Sequence, residues 1–242
     1  MGAAGRRGRI EASPADPPGP RMNRRPRLAV PIALLAALAA CNPHVSGNGE
    51  LGEETRAVAP FDAVDISLGA EATVTANATV QQLTVSVDEN LLQYVLTPVE
   101  DGVLKTRLNG VDGIDSVHPL RLTVQATTLH AVRATEAARI DVKGAGQPGL
   151  AFEVEAASLG NVQLQGPGGD LLQARLTGGS GLDAFAYPVA GASVALSGGS
   201  SLRVNSRSDP VGTATDRSHV AITGGGTCAA LARSADSDCV VQ

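Results

Sequence analysis

Leu176-Thr177-Gly178-Gly179-Ser180-Gly181-Leu182 and Leu196-Ser197-Gly198-Gly199-Ser200-Ser201-Leu202 are one phrase written twice, 20 residues apart. With that phrase as a frame, weaker copies stand on both sides: Val132 to Ile140, Val154 to Val162, Ala174 to Leu182, Val194 to Leu202 and Val220 to Cys228, each eight residues apart. Thr135, Thr177, Ser197 and Thr223 fall between the paired apolar positions. Successive copies start 22, 20, 20 and 26 residues apart. A period near twenty is that of a repeat stack in which each unit is too small to bury its own apolar face. Within each unit apolar residues alternate, as at Ile140 and Val142, Val162 and Leu164, and Leu202 and Val204. Period-two alternation is the mark of a strand with one buried face. The glycine pairs Gly178-Gly179, Gly198-Gly199 and Gly224-Gly225 fall where the chain must bend tightly. The fold expected is all-β: a single-stranded parallel β-helix or β-solenoid with repeats of roughly twenty residues, preceded by a short β-rich N-terminal part.

Composition agrees with a thin stack. Of the 242 residues 43% are hydrophobic, yet only 2% are aromatic, none is Trp, and Gly numbers 28. Such a core is filled by Val, Leu, Ile and Ala, and it argues against a deep aromatic-lined pocket. The net charge of −5 is unevenly spread. Residues 1–41 carry seven Arg and two acids, leaving residues 42–242 with 12 basic and 22 acidic residues. A body of charge −10 by this count excludes nucleic acid as a backbone-reading partner.

Met22-Asn23-Arg24-Arg25-Pro26-Arg27 is a basic flank to thirteen uncharged residues, Leu28 to Ala40. That run is too short for a bilayer span, which takes about twenty residues, but it fits the apolar region of a secretory signal. It ends in Leu38-Ala39-Ala40-Cys41, and here the sequence resembles the bacterial lipoprotein signal. The resemblance implies a diacylglycerol thioether on Cys41, cleavage before it, and acylation of the new amino terminus. Two acyl chains hold a protein stably on a membrane where one is marginal. Asn42 in place of Asp, the inner-membrane retention signal of some bacteria, points to the outer membrane, on its periplasmic or surface face. Residues 1–21, rich in Pro, Gly and Arg, are expected to be disordered or an upstream start that the cell does not use. Residues 22–41 form the signal, 42–59 a flexible tether, 60–227 the solenoid and 228–242 a capping tail.

Before the repeats, alternation at Val64, Ile66 and Leu68, at Leu83, Val85 and Val87, and at Leu120, Leu122 and Val124 predicts further strands. Asp101-Gly102 is a hairpin turn, and Asp88 to Val95 is the one stretch suited to a short helical turn. Residues 45–227 resemble the auto-transporter adhesin head, or GIN, domain of bacterial envelope proteins. The resemblance rests on Ser46-Gly47-Asn48-Gly49, on Arg56-Ala57-Val58 with Phe61-Asp62-Ala63-Val64, on Asp88-Glu89-Asn90-Leu91-Leu92, and on the Leu-Ser/Thr-Gly-Gly-Ser phrases. It implies a β-helical shape and an envelope location. Glu136-Ala137 stands where later copies have the glycine pair, and a looser turn is expected there.

With Cys41 assigned to lipid, Cys228 and Cys239 remain, and export permits a disulfide that pins the tail. Two cysteines with no nearby His are too few for a metal site. Gly178 to Phe185 fits a calcium-binding nonapeptide phrase, but the next copy lies twenty residues on and puts Arg203 where the carboxylate belongs. The four His (44, 118, 130 and 219) share no context, and no Ser sits in a nucleophile-elbow phrase. Asp65, Asp88, Asp112, Asp115, Asp141 and Asp183 are the carboxylates open to pairing on one face. No catalytic residue, metal or cofactor is assigned. The reading is a lipid-anchored envelope protein with an adhesin-like head that binds a glycan or another envelope protein. Its rivals are a periplasmic structural or regulatory lipoprotein with a protein partner, and a carbohydrate-active β-helix enzyme.

Overall fold

The computed structural model describes residues 43–147 and 149–242. The signal segment and Cys41 lie outside them. Among the described residues no helix is long and apolar enough to cross a membrane.

The chain is all-β. Its largest sheet has 18 strands and runs as two rows, mostly of parallel pairs, with partners about one repeat apart in sequence. In the first row Ala63–Ile66 pairs with Ala131–Ala134, then come Ala151–Ala156, Gly169–Leu176, the end of Gly181–Leu196, Val211–Ala214 and Leu231–Arg233. In the second row Glu71–Thr75 is followed by Arg139–Lys143, Asn161–Leu164, the start of Gly181–Leu196, Ser201–Ser206, His219–Thr223 and Asp238–Val241. Because residues paired across a parallel ladder point to the same face, equivalent side chains stay stacked from rung to rung. Val64, Val132, Val154, Ala174 and Val194 are therefore stacked inward in one file, and Ala72, Ile140, Val162, Leu182, Leu202 and Val220 in another. All are buried. Each fully buried Leu or Ile contributes about 2 kcal/mol by leaving water.

The corner between the rows is the quoted phrase. Gly178 and Gly179 have φ of 65° and 74°, and Gly198 and Gly199 have 67° and 75°. Each corner hangs on the next by a backbone bond: Gly179 N–H donates to the Gly198 carbonyl at 2.8 Å, and Gly199 N–H to the Asp216 carbonyl at 2.8 Å. The serine that follows turns inward and bonds back across the bend. Ser200 Oγ donates to the Ser197 carbonyl at 2.7 Å and Ser218 Oγ to that of Thr215 at 2.6 Å, so each buried hydroxyl is satisfied.

Four expectations are corrected. The corner at Glu136-Ala137 is not looser: φ of 52° and 61° match the glycine corners, and Ala137 N–H donates to the Ser158 carbonyl at 2.9 Å. The backbone ladder holds the left-handed bend and the side chains bear the strain. Ala137→Gly is therefore expected to stabilise by about 0.5–1 kcal/mol, the relieved strain exceeding the added chain entropy, as read from the urea midpoint.

The copy placed at Val220 to Cys228 is out of register. Val220 pairs with Leu202, so it closes a copy that opens at Gly212, and a further copy runs from Leu231 to Cys239. Gly224 and Gly225, with φ of 90° and 109°, belong to a different corner. For the same reason residues 228–242 are no cap laid over the end, but one more pair of rungs. Finally, residues 44–56 are not a loose tether. His44–Ser46 pairs with Gly113–Asp115, and Leu51–Arg56 runs antiparallel to Gln82–Asp88.

The copy at Val64 to Ala72 is separated from the next by residues 76–129, which fold back against its outer side. Val103–Lys105 and Arg121–Gln125 add parallel rungs, and the antiparallel strands Val99–Glu100, Gln82–Asp88 and Leu51–Arg56 follow. The 3-10 helix Glu89–Tyr94 lies in this segment, and the Asp101-Gly102 turn joins Val99–Glu100 to Val103–Lys105.

Candidate functional site

Outward positions of the second row make an open groove of about 550 Å³. It crosses six strands from Arg121–Gln125 to Ser201–Ser206, so each repeat contributes one or two side chains. One file reads Arg121, Glu71, Arg139, Asn161, Gly181 and Ser201, and the next Thr123, Thr73, Asp141, Gln163, Asp183 and Arg203. Arg121 Nε reaches Glu71 at 3.1 Å, and Arg203 binds Asp183 one strand away. The Arg203 guanidinium also lies 4.1 Å from the centre of the Phe185 ring. Asp141 sits mid-groove with Oδ2 3.7 Å from Lys143, while its buried Oδ1 has no hydrogen-bond partner among the described residues. At Gly181, between Asn161 and Ser201, the Asn161 amide oxygen lies over the position a side chain would take.

The first row carries a different pattern. Lys105, Asp65, Arg133, Glu155 and Arg175 stand in register on adjacent strands with alternating charge. Such a ladder favours one register, since a slip would oppose like charges. Burial raises the Asp65 carboxyl above the usual carboxylate range, partly offset by Arg133 and Lys105. A third recess, of about 370 Å³, is lined by Leu129, Phe152 and the buried Tyr187, with the His130–Asp62 pair at its mouth. Burial pushes the Tyr187 phenol up to about 12.

Of the residues that carry the family resemblance, those at 46–49 and 88–92 do not line the groove. They hold one another at the start of the stack. Asn90 Nδ2 donates to the Ser46 carbonyl at 2.9 Å, and Asn48 N–H donates to Asn90 Oδ1 at 2.9 Å. Gly47 lies against the Asp88 carboxylate with no room for a side chain. Arg56 donates to the Val95 and Leu92 carbonyls at 2.6 and 2.9 Å, satisfying the exposed end of the short helix.

Asp88 is fully buried. Burial alone would raise its pKa, but bonds from His118 Nδ1 at 2.6 Å and from the Val117 and His118 N–H groups outweigh it and hold the carboxyl low. A lowered folded pKa stabilises above the unfolded value of 3.8 and loses that stabilisation as pH falls through the folded value. Urea midpoints between pH 6 and pH 2.5 are expected to fall with acid in the wild type, and less steeply in Asp88→Asn. Glu100, held low by the Lys105 and Arg107 contacts, acts in the same direction, and Asp65 in the opposite one.

Of the six aspartates singled out in the sequence, the groove gathers Asp141 and Asp183. Asp65 is on the other face, Asp88 is internal, and Asp112 and Asp115 lie beside His44–Ser46, with Asp115 3.0 Å from the His44 ring. Arg203, the residue that breaks the calcium phrase, neutralises Asp183 directly. Cys228 and Cys239 are joined by a disulfide. Among the described residues no three His, Cys, Asp or Glu side chains gather as a metal site. Arg139, Asn161 and Gln163 were not foreseen. The available signal was the outward polar position repeating at the period of the inward apolar one.

No curated protein matches the chain in sequence. Solved structures do match its fold. An adhesin structure from Bacteroides fragilis, so titled as putative, is 14% identical with a TM-score of 0.60, covering 81% of this chain and 97% of that one. A structure from Parabacteroides distasonis titled "putative lipid binding protein" is 13% identical with a TM-score of 0.56, covering 82% of this chain and 98% of that one. At such identities the likeness establishes the fold alone. Residues 60–226 match the family described as "Putative auto-transporter adhesin, head GIN domain". The chain belongs to that family.

Proposed function

We propose that this protein is a lipid-anchored component of the cell envelope, held by acyl chains on Cys41, whose head is a β-solenoid acting by surface binding. The observation that carries the reading is the groove itself. Parallel rungs spaced about 4.8 Å apart set polar side chains on a regular lattice across six strands. A lattice of that kind suits an extended partner contacted weakly at many points. The pairing of equivalent residues about one repeat apart supports the solenoid description, since each rung is then one turn of the same coil. Catalysis is not assigned to the groove. Of its three acids Glu71 and Asp183 are each held by an arginine, which leaves Asp141 without a second free carboxylate to form an acid and base pair.

The test is protease shaving of intact cells, followed by membrane fractionation, for the wild type and Cys41→Ala. Loss of the head from intact cells, with recovery of Cys41→Ala in the soluble fraction, is the expected result. Protection until the outer membrane is opened would replace the surface reading with a periplasmic one. Wild-type protein in the soluble fraction would refute the anchor.

A further inference from the structure

Resting on the reading of the groove as the binding face, we propose that it takes a neutral polyhydroxylated chain, a glycan without carboxylate or sulfate groups. Asp141 is the central acceptor. Its Oδ1 is buried and unpartnered within a face otherwise well supplied with donors. A buried acceptor left without a bond costs about 1–3 kcal/mol, and an exception of that kind calls for a partner missing from the isolated protein. The Asp141 side chain is 37% exposed, so a turn of its carboxyl brings the unpartnered oxygen to the groove surface, where a hydroxyl donates to it.

The surroundings select the class of ligand. Across the strands Asp141 is flanked by Thr73 and Gln163, and on its own strand the next outward residue is Arg139. Arg139 lies between Glu71 and Asn161. Donors and acceptors therefore alternate in both directions, as a hydroxyl, which both donates and accepts, requires. The groove is lined by three acids and three arginines, so it has no net charge to draw in a polyanion. The remainder of the body is acidic and repels one. A peptide strand would seek an unpaired sheet edge, whereas this is a sheet face on which every backbone group is already in the ladder.

The experiment is calorimetric titration of the full chain, in a detergent without a sugar headgroup. The probes are maltohexaose, cellohexaose, chitohexaose and xylohexaose, with hexagalacturonate and a heparin hexasaccharide as acidic counterparts. At least one neutral probe is expected to bind at millimolar or better. Asp141→Ala and Asp141→Asn should each weaken it about tenfold or more, while Arg133→Ala on the opposite face leaves it unchanged. The melting temperature of Asp141→Ala should hold or rise, because the substitution removes an unsatisfied buried atom. A merely structural Asp141 would give the opposite. Binding of the acidic probes alone, no binding of any neutral probe, or full affinity in both Asp141 variants would each overturn the proposal. The two readings fail separately. A shaved head that binds no neutral probe defeats the ligand class and leaves surface binding standing. A glycan-binding protein found soluble defeats the anchor and leaves the groove.

Discussion

Gly168→Ala is expected to destabilise the protein by about 4 kcal/mol, among the largest effects of any single methyl group added to this chain. Gly168 is buried at the corner that leads into the strand Gly169–Leu176, with φ of 94°. A Cβ there would fall on the carbonyl oxygen of Pro188, well inside any real contact. Gly146, one rung away with φ of 113°, points in the same manner at the carbonyl of Gly168. Three backbone corners are thus stacked with nothing between them, and a backbone oxygen cannot rotate aside as a side chain would. The left-handed conformation contributes about 1–2 kcal/mol of the penalty and the forced displacement about 1–3 kcal/mol. Gly199→Ala is the control. Its φ is 75°, but a Cβ there meets nothing within 4 Å, so about 1 kcal/mol of strain is the whole cost. Urea midpoints of the two variants decide the matter. Equal and small losses would mean that the corners at 146, 168 and 188 are not in contact.

The contrast between those glycines marks what the sequence could convey. The corners at 178–179 and 198–199 are spelled by a repeated phrase, and the rungs between Val132 and Leu202 follow from it in correct register. The copy opening at Gly212 was missed because a glycine stands where the others have a valine or alanine, so the inward file breaks at the position that announces a rung. The copy at Val64 to Ala72 was missed for another reason. Its partner, Val132 to Ile140, is 68 residues away, and loop length carries no signal of what it brings together. Leu51–Arg56 has a mostly exposed pattern, and what orders it is pairing with Gln82–Asp88 and the reach of Arg56, neither of which is local.

The groove was illegible for a related cause. No segment of the chain contains it. Arg139 and Asp141, Asn161 and Gln163, and Asp183 and Arg203 come from successive repeats, and only the parallel register makes them neighbours. The phrases by which the family can be recognised, Ser46 to Gly49 and Asp88 to Leu92, are instead spent on each other. They close the first end of the stack. Motif density in this chain therefore follows folding demands, and no single motif spells the groove.

Removing the disulfide by Cys228→Ser with Cys239→Ser is expected to cost about 3 kcal/mol, confined to one end of the molecule. The bond closes a loop with a sequence separation of 11, and in the chain-entropy account that length sets the magnitude. The location sets its reach. Cys239 stands in register with Val220 on the strand Asp238–Val241, and Leu231–Arg233 pairs with Val211–Ala214, so the loop encloses the last pair of rungs. Among the described residues that last strand has no partner on its outer side, and Val241 is 57% exposed. In a stack where each rung contacts only its neighbours, stability is a sum of local terms, and a loss at one end need not spread. Hydrogen exchange reads this directly. Amides of residues 231–241 should lose about a hundredfold in protection, the factor that corresponds to 3 kcal/mol, while those of residues 161–176 keep theirs. Fraying would bare the edge of His219–Thr223, a strand whose Val220, Ala221 and Ile222 are buried, so the double variant should also associate at high concentration. Equal loss of protection along the whole chain would show instead that the stack unfolds as one cooperative unit, and that its last rungs are as firmly held as those beneath the groove.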